Sequence, residues 1–383
     1  MPADILRPAS STFFLSEDSG LRRKPLRPEV SRPQRFLEAF EDRALYYDCF
    51  RDATGADILL VGPPPLNLEA ELNRARFSDA QTGTPLQAQH HISRSSLLTR
   101  LTTGPATTSV RMDIAGQSGE LLVQPNLSRD LKDARFLVGM NWNNDLNWIR
   151  DWVEWHIRVH ATDTLILFDN GSNAYSLDAL AENLVQVAGL QKLVLFDWPH
   201  RFGARDSQVP THHYWAHFLQ ISALNLALKR CAASGAGFLN CDIDELAGPV
   251  SGDAYALAEN SPHGIAALAG QWVESVVPEG MPANRHRDFA YTLRGGLSRL
   301  CPKKWVLDPA RSWAQADTTF PYWHRVMGAP DRQQTEKPVA NYFHFRGIST
   351  NWKERRRNLS VPIPILHRKD RGLAQALKNV WPE

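Results

Sequence analysis

Between about residue 135 and residue 250, short apolar runs alternate with helix-like stretches, and no other feature of the sequence constrains the fold as strongly. The runs RFLVGMN, TLILFD, KLVLFD and GFLN are typical of buried strands. Between the first two, DLNWIRDWVEWHIRVH predicts a helix with Leu146, Ile149 and Trp152 on one face. Strands that alternate with helices predict an α/β fold, in which a mixed, mostly parallel sheet carries helices on both faces.

The residues before this region have a different pattern. In residues 43–130, runs such as DILLVG and TSVRMDI are separated by Gly, Pro, Asp and Asn, which predicts a small β-rich module. Residues 1–42 are rich in Pro, Ser, Arg and Lys and are expected to form a poorly ordered leader. Residues 131–360 are then predicted to be the main domain, and residues 361–383 a C-terminal tail.

Composition excludes several classes of protein. The 383 residues include 43 Lys and Arg and 41 Asp and Glu, and a formal charge of +2 does not favour nucleic-acid binding. No apolar run reaches the roughly eighteen residues of a transmembrane helix, and the first residues lack the pattern of a secretory signal. The four cysteines are scattered, as expected for reduced thiols. We therefore expect a cytoplasmic protein.

The sequence Asp242-Ile243-Asp244-Glu245 follows the last apolar run directly. Alternate residues of an extended segment point to the same side, so Asp242 and Asp244 can face one ligand. Two neighbouring carboxylates repel each other, and a divalent cation such as Mg²⁺ or Mn²⁺ relieves that repulsion. Such a cation can hold a diphosphate and stabilise its charge as a leaving group. The motif therefore predicts a metal site at the carboxyl edge of the sheet, where α/β proteins bind ligands.

An ordered series of short motifs leads to the acidic pair and continues beyond it. The series consists of Asn143-Asn144-Asp145, Asp151-Trp152 with His156, Phe168-Asp169-Asn170-Gly171-Ser172, Trp198-Pro199, Gln220 with Asn225, Asp242-Ile243-Asp244-Glu245-Leu246, the segment Lys303–Pro309 with His324, and His344-Phe345-Arg346. The series resembles glycosyltransferases of the A-type nucleotide-diphospho-sugar fold, particularly the family 92 and family 2-like group. The resemblance implies a Rossmann-like catalytic domain and covers about a third of the chain well.

The resemblance also implies roles for individual residues. Asp242 and Asp244, with His344 as a third ligand, would hold Mn²⁺ or Mg²⁺ and the diphosphate of a nucleotide-sugar donor, most simply a UDP-sugar. The nucleoside would contact the first two loops, and basic side chains would neutralise the diphosphate. The donor-binding residues expected on this basis are Asn143, Asn144, Asp145, Asp169, Asn170, Lys304 and Arg346, with Lys353 as a further basic candidate.

Each of these roles has a simpler structural alternative. Asp169 lies in an Asp-Asn-Gly sequence that forms turns, and Asn144 or Asp145 would serve equally as a helix N-cap. Transfer with inversion needs a carboxylate that accepts the proton of the attacking hydroxyl. Asp288 and Glu274 are the candidates for that base, and either is equally explained as a structural ion-pair member. Glu245 would orient the acceptor or cap a following helix.

Taken together, these features predict a metal-dependent hexosyltransferase in surface-polysaccharide assembly, with a glycan or lipid-linked saccharide as the acceptor. The alternative is a non-catalytic sugar- or nucleotide-binding protein with the same fold. The basic stretch from Lys353 to Arg371 allows a peripheral contact with an anionic membrane, although its prolines and acidic residues weaken that idea. The donor sugar, the linkage and the oligomeric state are left open.

Overall fold

The structure of the chain is a computed structural model that describes residues 2–204, 216–295, 297–330, 337–350 and 358–382. The strands are β1 (Asp4–Leu6), β2 (Phe13–Phe14), β3 (Ala44–Tyr46), β4 (Asp48–Arg51), β5 (Ile58–Gly62), β6 (Arg76–Asp79), β7 (Pro85–Ile92), β8 (Leu97–Thr102), β9 (Ser109–Ile114), β10 (Gln117–Leu122), β11 (Arg135–Asn141), β12 (Thr164–Asp169), β13 (Lys192–Asp197), β14 (Gly237–Asn240), β15 (Glu245–Ala247), β16 (Ile265–Val273), β17 (Tyr291–Leu293), β18 (Cys301–Leu307), β19 (Phe320–Pro321), β20 (Val326–Met327), β21 (Pro338–Phe345) and β22 (His367–Lys369). The helices are α1 (Gln34–Ala39), α2 (Glu69–Arg74), α3 (Leu146–His160), α4 (Leu177–Val185), α5 (Phe218–Leu226), α6 (Ala254–Glu259), α7 (Ser312–Gln315) and α8 (Arg371–Val380), and α5 continues as a π-helical turn, Ala227–Cys231.

A nine-stranded mixed sheet forms the centre of the molecule, in the order β1-β13-β12-β11-β14-β18-β16-β21-β15. Strands β1, β13, β12, β11 and β14 pair in parallel, and β16 pairs in parallel with β21. Strand β18 runs antiparallel to both of its neighbours, and β15 runs antiparallel to β21. The predicted mixed α/β architecture is therefore confirmed.

Strands β11, β12 and β14 are buried on both faces, because apolar side chains point to both sides of each strand. On β12, Leu165 and Leu167 pack into a core with α3 and α4, whereas Ile166 and Phe168 point into a second core with α5. Of the residues predicted for one face of α3, Ile149 and Trp152 are buried, and Leu146 is partly buried against the same core. Helices thus cover one face, and the other face is shared between α5 and the β-rich module.

The β-rich module is a seven-stranded antiparallel sheet, ordered β10-β9-β6-β7-β8-β5-β4, with its own buried core. Helix α5 lies between the two sheets, and its Ser222 hydroxyl donates to the carbonyl of Gly62 on β5 over 3.0 Å. The prediction of a β-rich segment before the α/β region is confirmed.

The expectation that residues 1–42 form a poorly ordered leader is wrong, and the C-terminal segment is folded as well. The predicted leader, residues 1–42, contributes β1 to the central sheet, and its Arg23 is buried and donates to the carbonyls of Pro64, Glu41 and Ala44. The predicted tail contributes α8, whose Leu373 and Leu377 are buried in the core under α3. The composition of residues 1–42 gave a wrong prediction because it does not show that Arg23 is buried and bonds to backbone carbonyls.

Within the described residues, no helix has the length and apolar character needed to cross a membrane.

Candidate active site

A cleft of about 780 Å³ lies at the edge of the central sheet where β11, β12, β14, β16 and β21 end. Because these strands run in the same direction, their carboxyl ends bring residues from distant parts of the sequence to one place. The lining includes Asn141, Asn144, Asn170, Gln220, Asp242, Asp244, Glu245, Trp272, Glu274, Trp323, His344 and Arg346.

Three of these residues are brought together by sheet register. Strand β15 pairs antiparallel with β21, so Glu245 lies opposite His344, and the parallel pairing of β16 with β21 places Trp272 on the other side of His344. The His344 Nε2 atom lies 3.1 Å from Asp244 Oδ2, and its Nδ1 atom lies 3.5 Å from Glu245 Oε1. One ligand atom from each of Asp244, Glu245 and His344 lies within 4.8 Å of the others.

Asp242, the other predicted metal ligand, lies beside this cluster and has protein partners. Its Oδ1 accepts from Gln220 Nε2, and its Oδ2 accepts from Lys304 Nζ, each over 2.8 Å. The same ammonium group lies 2.8 Å from Glu245 Oε2. The structure therefore brings Asp244 and His344 together as predicted, and places Glu245 as the third member of the cluster.

Lys304 was predicted to neutralise a diphosphate, but its side chain is fully buried beneath the acidic motif. Burial alone would lower the pKa of this amine, whereas the carboxylates of Asp242 and Glu245 outweigh burial and raise the pKa above its ordinary value. The ammonium group therefore stays charged and holds two carboxylates in place. Its role in the structure is to support the acidic motif from below.

The cluster has the donor set that suits a divalent cation. Carboxylate oxygens and an imidazole nitrogen are good ligands for Mn²⁺, and carboxylates also suit Mg²⁺. Asp244, Glu245 and His344 are the residues that could hold such a cation, because one ligand atom from each lies within 4.8 Å of the others.

His344 is embedded among groups that hold its ring in one orientation. Trp272 stacks on the imidazole with ring centroids 4.1 Å apart, and Cys301 Sγ lies 3.8 Å from Nδ1. Burial would lower the pKa of His344, but the carboxylates of Asp244 and Glu245 raise it to about 10. Without a cation, the ring is therefore protonated near neutral pH and forms ion pairs with both acids.

Histidines on neighbouring elements fix the backbone that carries the acidic motif. On α3, His156 Nε2 accepts from the Ala247 N–H over 3.2 Å, and His160 Nε2 donates to the Ala247 carbonyl over 3.0 Å. His286 Nε2 donates to the carbonyl of Ile243 over 2.9 Å. The i, i+4 spacing of the two α3 histidines places both on one helix face, toward β15. The backbone is thus held at Ile243, within the acidic motif, and at Ala247, two residues after it.

The first two loops are built mainly from internal hydrogen bonds. Asp169 is buried, and its carboxylate accepts from Asn141 Nδ2 and from the hydroxyl and N–H of Ser172. Asp145 caps α3 by accepting from the Asn147 N–H over 2.8 Å. Asp169 thus stabilises the turn to Ser172, and Asp145 caps a helix, as the structural alternatives for these two acids predict.

Of the asparagines in these loops, Asn143 makes structural hydrogen bonds, whereas Asn144 and Asn170 line the cleft. Asn143 adopts a left-handed backbone with φ 52°, and its side-chain amide bonds to Asn173 and Ala174. Asn170 donates to the carbonyls of Trp198 and His200, yet it also lines the cleft, as does Asn144. Only Asn144 and Asn170 among the predicted residues of these loops are therefore placed against the cleft in the described part of the chain.

The structure separates the two candidate bases. Glu274 lines the cleft, and its Oε1 lies 3.3 Å from Arg346 Nε. Arg346 in turn lies over the Trp272 ring, 4.3 Å from its centroid. Asp288 has a structural role outside this lining, since its Oδ2 accepts from the N–H groups of Asn284 and Arg285 over 2.8 Å each. Glu245 begins strand β15, so of its two predicted roles the capping of a following helix is wrong.

Several residues that line the cleft are not among the predicted site residues, although Gln220 and His324 belong to the ordered motif series. Gln220 belongs to the ordered motif series, and its Oε1 accepts from Trp323 Nε1 over 2.8 Å while its amide holds Asp242. Trp272 and Trp323 line the cleft, whereas Trp305 is buried in the core. His324 also lines the cleft, with its Nδ1 donating to the Lys303 carbonyl. Lys353 lies outside the described residues.

A scan of the chain against models of known protein families finds no match, and a search of curated proteins finds no matching sequence.

Proposed function

We propose that the protein is a divalent-metal-dependent glycosyltransferase of the A-type nucleotide-diphospho-sugar fold, which moves a hexose from a nucleotide-diphosphate sugar to a glycan or lipid-linked acceptor. The observation that carries the proposal is the cluster of Asp244, Glu245 and His344 at the carboxyl edge of the sheet, inside a cleft large enough for such a donor. The order of motifs in the sequence supports the same family. We also propose a cytoplasmic location.

In this proposal the acidic cluster holds Mn²⁺ or Mg²⁺, which when bound supplies positive charge that stabilises the donor's diphosphate. Asn144 and Asn170 contact the nucleoside at one end of the cleft, and Arg346 faces the diphosphate with its guanidinium. Trp323 lines the cleft and offers a ring face on which a sugar can stack, whereas the Trp272 ring is covered by His344 and Arg346.

Glu274 is the base that the cleft favours over Asp288, because its carboxylate lines the cleft. The acceptor hydroxyl oxygen attacks the anomeric carbon, and the bond from that carbon to the phosphate oxygen breaks. The hydroxyl proton passes to Glu274, and the bonding electrons leave with the nucleoside diphosphate. Attack opposite the leaving group inverts the configuration at the anomeric carbon.

The test measures UDP released from UDP-sugars in the presence of Mn²⁺, with and without saccharide acceptors, for wild type and Asp244→Asn. Asp244 is 22% exposed and contacts His344, so the substitution should leave the fold intact while it removes one carboxylate from the cluster. We expect acceptor-dependent UDP release by wild type and a loss of roughly a hundredfold or more in Asp244→Asn.

The matched control is Asp178→Asn, an exposed aspartate in the first turn of α4, which should retain full activity. Full activity of Asp244→Asn would contradict the metal assignment. Nucleotide binding by wild type with no turnover would favour the non-catalytic binding protein. Release of pyrophosphate or of a nucleoside monophosphate would favour a nucleotidyltransferase or a phosphohydrolase instead.

A further inference from the structure

Two segments that are distant in the sequence form one surface beside the cleft. They are residues 294–300, apart from residue 296, and residues 358–369; together we call them the apolar–basic surface. Strand β17 pairs antiparallel with β22, and the Arg294 N–H donates to the Leu366 carbonyl over 2.8 Å. The Arg294 guanidinium also donates to the carbonyl of Pro364 over 2.8 Å. These bonds bring the two segments together.

This surface exposes a concentration of large apolar side chains. Leu300 is 93% exposed and Ile365 is 79% exposed. Five more are exposed on the same two segments: Leu297, Leu359, Val361, Ile363 and Leu366. Single exposed apolar residues are normal in proteins, whereas a contiguous group marks a surface that contacts a partner or a membrane.

The charged residues of the same segments indicate which of these it contacts. Residues 294–300 and 358–369 contain Arg294, Arg299, Arg368 and Lys369 and no Asp or Glu, and these four basic residues are exposed. The adjacent Asp370 is engaged within the protein, since it caps α8 and accepts from Gln271. Apolar side chains among basic ones, without acidic residues, complement the interface of an anionic bilayer.

The apolar–basic surface is continuous with the cleft. Arg299, Leu300 and Asn358 belong to its described segments and also line the cleft. A membrane bound at this surface would therefore lie at the mouth of the cleft, next to Trp272 and Arg346 on the cleft wall.

We propose that the apolar–basic surface docks the protein onto an anionic lipid bilayer, with Ile363 and Ile365 inserted among the lipids and the arginines at the headgroups. Docking itself does not depend on the proposed activity. Its consequence, that the acceptor is the lipid-linked saccharide rather than a free glycan, rests on the proposed glycosyltransferase.

The test is flotation of the full-length protein with vesicles of phosphatidylcholine alone and with about 30 mol% phosphatidylglycerol. We expect wild type to float with the anionic vesicles, less with the neutral ones, and less again in about 0.5 M NaCl. The double variant I363D/I365D should reduce the bound fraction about tenfold. The matched control V30D changes a valine that is 99% exposed outside this surface, and it should float like wild type.

Failure of docking and failure of the proposed activity are distinguishable, because flotation needs no donor, metal or turnover. Circular dichroism and UDP release with a water-soluble acceptor show whether I363D/I365D is folded and active. Wild type that stays with neither kind of vesicle, or a folded double variant that floats as well as wild type, would overturn the proposal. A concentration-dependent dimer that the double variant abolishes would also overturn it, since the surface would then bind a second copy of the chain.

Discussion

Replacing Lys304 with methionine tests the role of the buried cation beneath the acidic motif. Methionine keeps most of the side-chain volume but removes the ammonium that contacts Asp242 and Glu245, each over 2.8 Å. Glu245 is 1% exposed, so its carboxylate would be left in the interior without its cation. Removing one partner of a buried ion pair costs about 3–5 kcal/mol, because the remaining charge stays desolvated.

For a chain of this length, that loss corresponds to a fall of roughly 4–6 °C in the melting temperature if the protein unfolds as one unit. The assay is thermal and urea unfolding of K304M, with K132M as the matched control. Lys132 is 72% exposed and pairs with Asp133 at 3.9 Å, so its replacement should change the unfolding free energy by less than about 1 kcal/mol.

A second variant separates charge from packing. If the cost comes from an unpaired carboxylate, K304M/E245Q should recover part of the lost stability, since the amide is neutral and keeps an oxygen that can accept from the Asp242 N–H. Unfolding of K304M at the wild-type temperature, or no recovery in the double variant, would refute the assignment of Lys304 as the cation that holds the motif.

Two further predictions concern the fold around the site. Burial lowers the pKa of His156 to about 3 and also lowers that of His160; because the unfolded values lie near 6.5, unfolding takes up protons below that pH. The contribution of these two histidines to the free energy of unfolding is therefore complete above about pH 6.5 and falls below it by up to about 1.4 kcal/mol per pH unit for each histidine. Urea unfolding of H156Q/H160Q should show a flatter slope below pH 6.5 than wild type. In the β-rich module, a Cβ on Gly62 would lie 2.1 Å from the Leu45 carbonyl oxygen, so G62A should destabilise by about 1–3 kcal/mol or more. G104A, where nothing lies within 4 Å, should be neutral in the same thermal assay.

The strands predicted best from the sequence are those buried on both faces. The apolar runs of β11, β12 and β13 coincide with the observed strands, because parallel strands covered on both sides need an apolar residue at every position. Strand β7 has the opposite character: its sequence PLQAQHHI is polar, and its residues alternate between exposed and half-buried. Strand β7 forms because it pairs with β6 and β8, and its own sequence has too few apolar residues to predict a strand.

The strands of the central sheet that complete the site could not be predicted from local apolar runs. Strands β15, β16, β18 and β21 pair across large separations in the sequence, and no local pattern states that Glu245 lies opposite His344. The acidic pair could be recognised from its spacing and from its position after a buried strand. Which of these acids contact Lys304 and which contact His344 depends on strand pairing, and pairing is a property of the whole fold.

Lys304 shows how a residue type can mislead when its surroundings are unknown. In the sequence it stands beside Lys303, and either lysine could face solvent, because an isolated ammonium is costly to bury. In the structure, β18 places Lys304 in a row with the buried residues Trp305, Val306 and Leu307, and two carboxylates offset the cost of burial. A lysine within an apolar strand is thus a signal for a buried acid elsewhere, and the sequence Asp-x-Asp-Glu supplies candidates for that acid.

Some residues around the acidic motif support it from inside the protein and others line the cleft. This difference determines whether a substitution should change stability or cation binding. His156, His160 and Lys304 hold backbone or carboxylates from inside the protein, so changes there should appear first as lost stability. Asp244 lines the cleft, so its replacement should appear as lost cation binding in a folded protein. A variant of Asp244 that binds Mn²⁺ as tightly as wild type would therefore argue against the cluster as a metal site, independently of any measured sugar transfer.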